Sequence, residues 1–269
     1  MNTVQITVLV ENQAVLPLHP EHGLSLLIEH DKHWILFDTG AGRALLHNAQ
    51  ILDVDLAAVE HVVLSHGHND HTGGLHLFHG KKIWHTPEIT CPHFSRHTDR
   101  PVSNITMPEK AQNVLKVATQ CTVERFQEML PGIYLTGPIP RVSGETTGGP
   151  FFHDPDGMTP DFIPDEQAML FEHGVLIQGC CHAGIINTLE YCRKCAPQIP
   201  VHTIIGGLHL LHADDTRLQR TAEYLHQSGV TTLYLMHCTG VDAVNYMRSA
   251  GFRVITPCAG ELITISAEK

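Results

Sequence analysis

"VVLSHGHNDHTGGL", residues 62–75, decides how the rest of the chain is read. His66, His68, Asp70 and His71 fall within six positions, directly after an apolar run. An extended backbone points residues two apart the same way, so His66 and His68 share a side. Asp70 and His71 arrive as the chain turns, and Gly67, Gly73 and Gly74 supply permissive backbone around that turn. Two pairs of ligands then aim at neighbouring points: His66 with His68 for one divalent ion, Asp70 with His71 for a second. Imidazole and carboxylate suit Zn first, with Mn or Fe as alternatives, because no thiolate in the stretch narrows the choice. A loop of surface histidines accounts for neither the acid nor the glycines nor the strand before them.

Outward from that loop, the chain reads as an ordinary globular protein. It has 269 residues, 42% of them hydrophobic, which is ample for a substantial core and fits one domain over 1–269. The formal net charge of −11 argues against a phosphate-backbone binder, so nucleic acid is not expected as a partner. No apolar run approaches the roughly 20 residues of a membrane span, so no membrane partner is expected either. The first residues, "MNTVQITVLV", alternate like an opening strand and carry no basic leader, which gives a cytoplasmic address. Eight cysteines without a secretion signal do not read as a disulfide framework. "YCRKC" places Cys192 and Cys195 on adjacent turns of a helix rather than in a redox or zinc motif.

Strand patterns recur at 4–10, 24–29, 34–37, 60–65, 168–172, 174–178, 201–205, 231–236, 252–256 and 261–265. Helical patterns are interleaved near 43–50, 183–195, 214–228 and 239–250, the last two followed by Gly229 and Gly251 as stops. The class is therefore α/β or layered α+β. Segment 86–113 is polar and broken by prolines, segment 137–165 is rich in Gly and Pro, and both read as irregular loop insertions: lids, binding loops or plain surface. Within them "GETTGG", residues 144–149, and Arg96, Arg100 and Arg141 are candidates for holding a phosphate; Glu145, and Glu166 just beyond them, are candidate acids.

"SHGHNDHTGG" resembles the H-x-H-x-D-H signature of the metallo-β-lactamase-fold superfamily, and the resemblance runs along nearly the whole chain. "ILFDTG" is similar to that family's first motif, whose Asp, here Asp38, orients a ligating His. "LIQGCCHAGIINT" and "LYLMHCTG" fall where later ligands are expected, which implies His182 and His237 as metal ligands beside His66, His68, Asp70 and His71. His209 in "GGLHL" is a ligand, a substrate contact, a proton shuttle or a packing residue. The fold implied is a four-layer αβ/βα sandwich of two mixed β-sheets. "GCCH" stands where the family's bridging Asp is expected, and no "GHTxG"-type histidine lies between the cluster and residue 170, so one tight ion plus a looser one is the implied occupancy. Eight segments in one order, from "VLVEN" to "HCTG", are similar to the branch that includes the archaeal dihydropterin–ribofuranosylaminobenzene phosphate synthases of methanopterin biosynthesis.

The resemblance implies an enzyme that uses one or two divalent ions on a small-molecule substrate. An ion with an open position supplies a nucleophile near neutral pH or neutralises charge on a leaving oxygen. Displacement of pyrophosphate from an activated pterin by an aryl nucleophile fits the branch, and hydrolysis of a phosphodiester, lactone or other ester fits the wider superfamily. Asp70, His209 and Asp38 are the expected catalytic or orienting groups. A metal-binding protein without turnover is the contrasting reading. A di-iron redox protein would carry Glu where His68 stands and a flavin domain, and neither is seen. A second copy of the chain is left open as a partner.

Overall fold

The computed structural model describes residues 3–97, 100–145 and 149–266. Two compact units emerge: Met1–Thr122, Gly149–Asp165 and Cys258–Lys269 form the first, and Val123–Gly148 with Glu166–Pro257 form the second. No linker marks them in the sequence because each unit is assembled from separate stretches of chain. Among the described residues, no helix is long and apolar enough to cross a membrane.

The first unit is built on a seven-stranded mixed sheet. Its spatial order is Leu262–Ser266, Thr3–Val10, Ser25–His30, His33–Phe37, His61–Val63, Lys82–His85 and Thr119–Thr122. The N-terminal strands pair antiparallel, Ile6 opposite Ile28 and Leu27 opposite Leu36. From His33–Phe37 onward the strands run parallel, Phe37 beside Val63 and Val63 beside Trp84. Parallel neighbours need crossovers. The crossover before His61–Val63 contains helix Leu45–Ile51, and helix Glu109–Val117 precedes Thr119–Thr122. Leu45 from one helix and Ala111, Val114 and Leu115 from the other join Leu9, Leu27, Leu36, Val62 and Ile83 in one buried cluster. Fully burying each such aliphatic chain stabilises by roughly 1.5–3 kcal/mol. Within the 86–113 and 137–165 segments, Phe94–Ser95, Ser103–Asn104 and Phe151–Phe152 pair into a small three-stranded sheet.

The second unit carries another mixed seven-stranded sheet, in the order Arg253–Ile255, Thr232–Leu235, Thr203–Gly206, Val175–Gln178, Ala168–Phe171, Ile133–Leu135 and Gln127–Leu130. The first four strands are parallel, and each connection between them contains one helix: Ile185–Cys195, Asp215–Gln227 and Val241–Ser249. Asp214 caps the second of these by accepting from the Arg217 N–H at 2.8 Å. Ile185, Leu189, Leu218, Leu225, Val244 and Met247 pack from these helices onto Leu176, Ile204 and Leu233 of the sheet. In both units the strands that matter for function are parallel neighbours, so their carboxyl ends open on one edge of their sheet. That edge is where α/β proteins place their ligands.

Candidate metal centre

In the first unit, Asp38 follows strand His33–Phe37 and the histidine loop follows the adjacent strand His61–Val63. His66, His71 and Asp38 are fully buried, and His68 nearly so. The His66 ring centroid lies 4.5 Å from that of His68 and 4.2 Å from that of His71. Asp38 organises them. Its Oδ1 accepts from the Ser65 N–H at 2.7 Å, and its Oδ2 lies 2.7 Å from both Ser65 Oγ and His71 Nδ1.

Those contacts fix two tautomers. A carboxylate only accepts, so His71 Nδ1 carries a proton toward Asp38 and Nε2 is the ring nitrogen turned away from that acid. The Ser65 hydroxyl has one proton, which goes to Asp38, so its 2.9 Å contact with His66 Nδ1 makes that nitrogen the donor. His66 likewise turns its Nε2 away from that contact. Burial lowers His68 to about 3, which holds that imidazole neutral. Three imidazoles in one buried cluster form a donor set that suits a divalent ion. Asp70 is half-buried, its Oδ2 3.7 Å from His71 Nε2 and 3.3 Å from Nε2 of His22, a histidine the sequence reading passes over.

The glycines of the loop act by closeness rather than by an unusual φ. Gly73 has φ −62°, yet a Cβ there would sit 2.3 Å from the Ala41 carbonyl oxygen. A Cβ on Gly67 would sit 2.4 Å from the Ile89 carbonyl oxygen.

The two insertion segments hold this loop. Asn69 N–H donates to the Ile105 carbonyl at 2.7 Å, and Gly67 N–H donates to Asp165 Oδ2 at 2.6 Å. His93 bridges two buried acids, its Nδ1 2.5 Å from Asp161 Oδ2 and its Nε2 3.7 Å from Asp165 Oδ1. Burial alone would depress His93, but the bonds to Asp161 and Asp165 push it up to about 9. Its ring stands edge-on to His68 with centroids 5.0 Å apart. Of the phosphate candidates, Arg96 is engaged with the Asp156 carbonyl and lies over the Phe152 ring, 5.2 Å from its centroid. Three residues of "GETTGG", 146–148, lie outside the described residues.

In the second unit, three further loops leave adjacent parallel strands. "GCCHAG" follows Val175–Gln178 and carries Cys180, Cys181 and His182; His209 follows Thr203–Gly206; His237 and Cys238 follow Thr232–Leu235. Cys181, His209 and His237 have φ of +64°, +48° and +53°, as Asp38 has +58° in the first unit. Non-glycine residues hold this region only where surrounding structure compensates, and they cluster at functional sites. The His182 and His209 rings lie 4.6 Å apart by centroid. One ligand atom each from Cys180, His237 and Cys238 lie within 4.8 Å of one another. These thiols are donors that the reading of the histidine loop did not include. The signal for them was present, since Cys180 and Cys238 each follow a parallel strand within two or three positions.

Glu145 and Glu166 are caps here. Glu166 Oε1 and Oε2 accept from the His182 and Ala183 N–H groups at 2.5 Å each, and Glu145 Oε2 accepts from Ile186 N–H at 2.9 Å. Glu145 therefore serves the first turn of helix Ile185–Cys195, and Glu166 the turn that leads into it.

Residues 19–163 match the metallo-beta-lactamase superfamily, and the chain belongs to it. Its α/β class, with a mixed seven-stranded sheet in each unit, is the metallo-β-lactamase fold. Among particular proteins, the chain is 28% identical to the 7,8-dihydropterin-6-methyl-4-(beta-D-ribofuranosyl)-aminobenzene-5'-phosphate synthase of Methanocaldococcus jannaschii, covering 91% of this chain and 90% of that one. It is 32% identical to an uncharacterized protein of the same archaeon, covering 89% and 92% of the two. A crystal structure of a metal-dependent hydrolase of the beta-lactamase superfamily superimposes with a TM-score of 0.85 at 30% identity, over 98% of this chain and 99% of that one.

Proposed function

We propose that this protein is a metal-dependent enzyme that acts on a phosphorylated or pyrophosphate-activated small molecule. Its ligands are His66, His68, Asp70 and His71, with His182 and His237, and the ion is Zn before Mn or Fe. The observation that carries the metal assignment is the Asp38–Ser65 relay, which turns His66 and His71 so that each directs its Nε2 away from it. Similarity to the dihydropterin-type synthase along nine-tenths of both chains supports the substrate class. The bound ion would supply Lewis acidity toward a phosphoryl oxygen. Asp38 orients His71, and in this reading Asp70 and His209 hold or move a proton.

A second reading, hydrolysis of a phosphodiester, lactone or other ester, is favoured by the likeness to the metal-dependent hydrolase. Elemental analysis of protein purified in metal-free buffer, paired with turnover assays, separates the readings. Release of pyrophosphate from a pterin pyrophosphate only when an arylamine acceptor is present supports transfer. Acceptor-independent loss of phosphodiesters or lactones supports hydrolysis. Stoichiometric metal with no turnover on any of them favours a metal-binding protein and overturns both.

A further inference from the structure

We propose that Asp165 is a positioning residue for the histidine loop, held in place by His93 and Asp161, and that it sets the metal affinity of His66 and His68. The inference rests on the metal assignment above but concerns residues outside the H-x-H-x-D-H stretch. Gly67 is the residue between the two histidines, and its N–H donates to Asp165 Oδ2 at 2.6 Å. Asp165 is fully buried, as are the His93 and Asp161 side chains. A short bond from a buried side-chain oxygen to a buried N–H fixes the peptide it grips. Rotation of the Gly67 peptide would swing His66 and His68 away from one another, since they flank it.

The grip is itself braced from three sides. The Asp165 carbonyl accepts from Thr86 Oγ1 at 2.6 Å, which ties the backbone of the acid down. His93 lies between Asp165 and Asp161, and its ring backs that of His68. Asp161 Oδ1 accepts from Ile163 N–H at 2.8 Å, in a turn where Ile163 takes φ +50°, a conformation a β-branched residue adopts only under constraint. Space around Gly67 is closed: a Cβ there would stand 3.0 Å from His93 Nε2 and 3.1 Å from Asp165 Oδ2. The three residues come from both insertion segments, which gives those segments a shared task. They clamp the loop.

The test is metal affinity and ligand field in the full chain. Zinc dissociation constants are measured by chelator competition, and Co(II) replaces Zn(II) for the visible absorption spectrum. Asp165→Ala is expected to weaken zinc binding by about 10–100-fold, the usual consequence of removing a partner behind the ligands, and to change the Co(II) bands. Asp165→Asn keeps an oxygen for the Gly67 N–H and is expected to restore both toward wild type. His93→Gln is expected to fall between them. Thermal melting of the metal-free proteins keeps folding apart from binding, and if Asp165→Ala fails to fold, His93→Gln carries the comparison. Wild-type affinity and an unchanged Co(II) spectrum in folded Asp165→Ala or His93→Gln overturn this inference alone. Absence of stoichiometric metal from the wild-type protein overturns the metal assignment, and this inference with it.

Discussion

Asp38 Oδ2 and His71 Nδ1 lie 2.7 Å apart with both side chains fully buried, and the same carboxylate holds Ser65 through its amide and its hydroxyl. One acid at the end of one strand therefore determines how two imidazoles of the neighbouring strand's loop are protonated. Asp38→Ala leaves several buried donors without their shared acceptor. Each stranded donor costs about 1–3 kcal/mol, so a loss of at least about 2 kcal/mol is expected in urea denaturation. Zinc affinity should fall about 10–100-fold in the same variant. Wild-type stability together with wild-type affinity would show that Asp38 is not the organiser of this cluster.

His68 separates chemistry from architecture. It caps the short helix Asn69–Thr72 with its backbone and keeps its ring neutral by burial. His68→Ala should lower bound metal and abolish turnover while circular dichroism remains that of the wild type. Metal content and turnover equal to wild type would reject the ligand assignment at this position.

Much of this could be read from residue order because the informative residues sit at strand ends, where sequence and geometry are most directly linked. An apolar run followed by His-x-His needs no tertiary context to be recognised, and the ten strands read from pattern all have counterparts in the two large sheets. What escaped the reading depends on contacts between distant positions. Lys82–His85 and Thr119–Thr122 are short strands whose pattern is masked by exposed Lys82 and Gln120 and by a buried His85. Helix Glu109–Val117 lies at the end of a Pro-rich segment, and its Ala111, Val114 and Leu115 stripe spans barely more than one turn. Asp165 and Gly67 are 98 residues apart, and nothing local announces their bond. Glu166 resembles a catalytic acid only until its two oxygens are seen on backbone N–H groups.

That finding makes Glu166 a sharp case. If it caps the turn into helix Ile185–Cys195, Glu166→Ala strands the His182 and Ala183 amides and should cost about 2 kcal/mol or more in stability. Glu166→Gln, which retains one acceptor, should lose less than half of that and keep measurable turnover. A variant in which Gln destroys turnover outright while stability is untouched would return Glu166 to the role of a catalytic acid.

The thiols of "YCRKC" give a prediction that is independent of any metal. Burial, and then the neighbouring Cys195, push the Cys192 thiol up to about 12, whereas Cys195 itself is exposed. A thiol whose folded pKa is raised adds stability below its unfolded value, and that contribution is lost as pH climbs through the interval up to about 12. At pH 8 the thiolate fraction of Cys192 is then on the order of one in ten thousand, and only the thiolate is nucleophilic. Iodoacetamide at pH 8 should therefore modify Cys195 in the native protein and leave Cys192 intact until denaturant is added, as read by peptide mass spectrometry. Equal labelling of both residues in the folded chain, or a native Cys192–Cys195 disulfide under mild oxidation, would mean that the helix opens there and that the pair is available for redox chemistry.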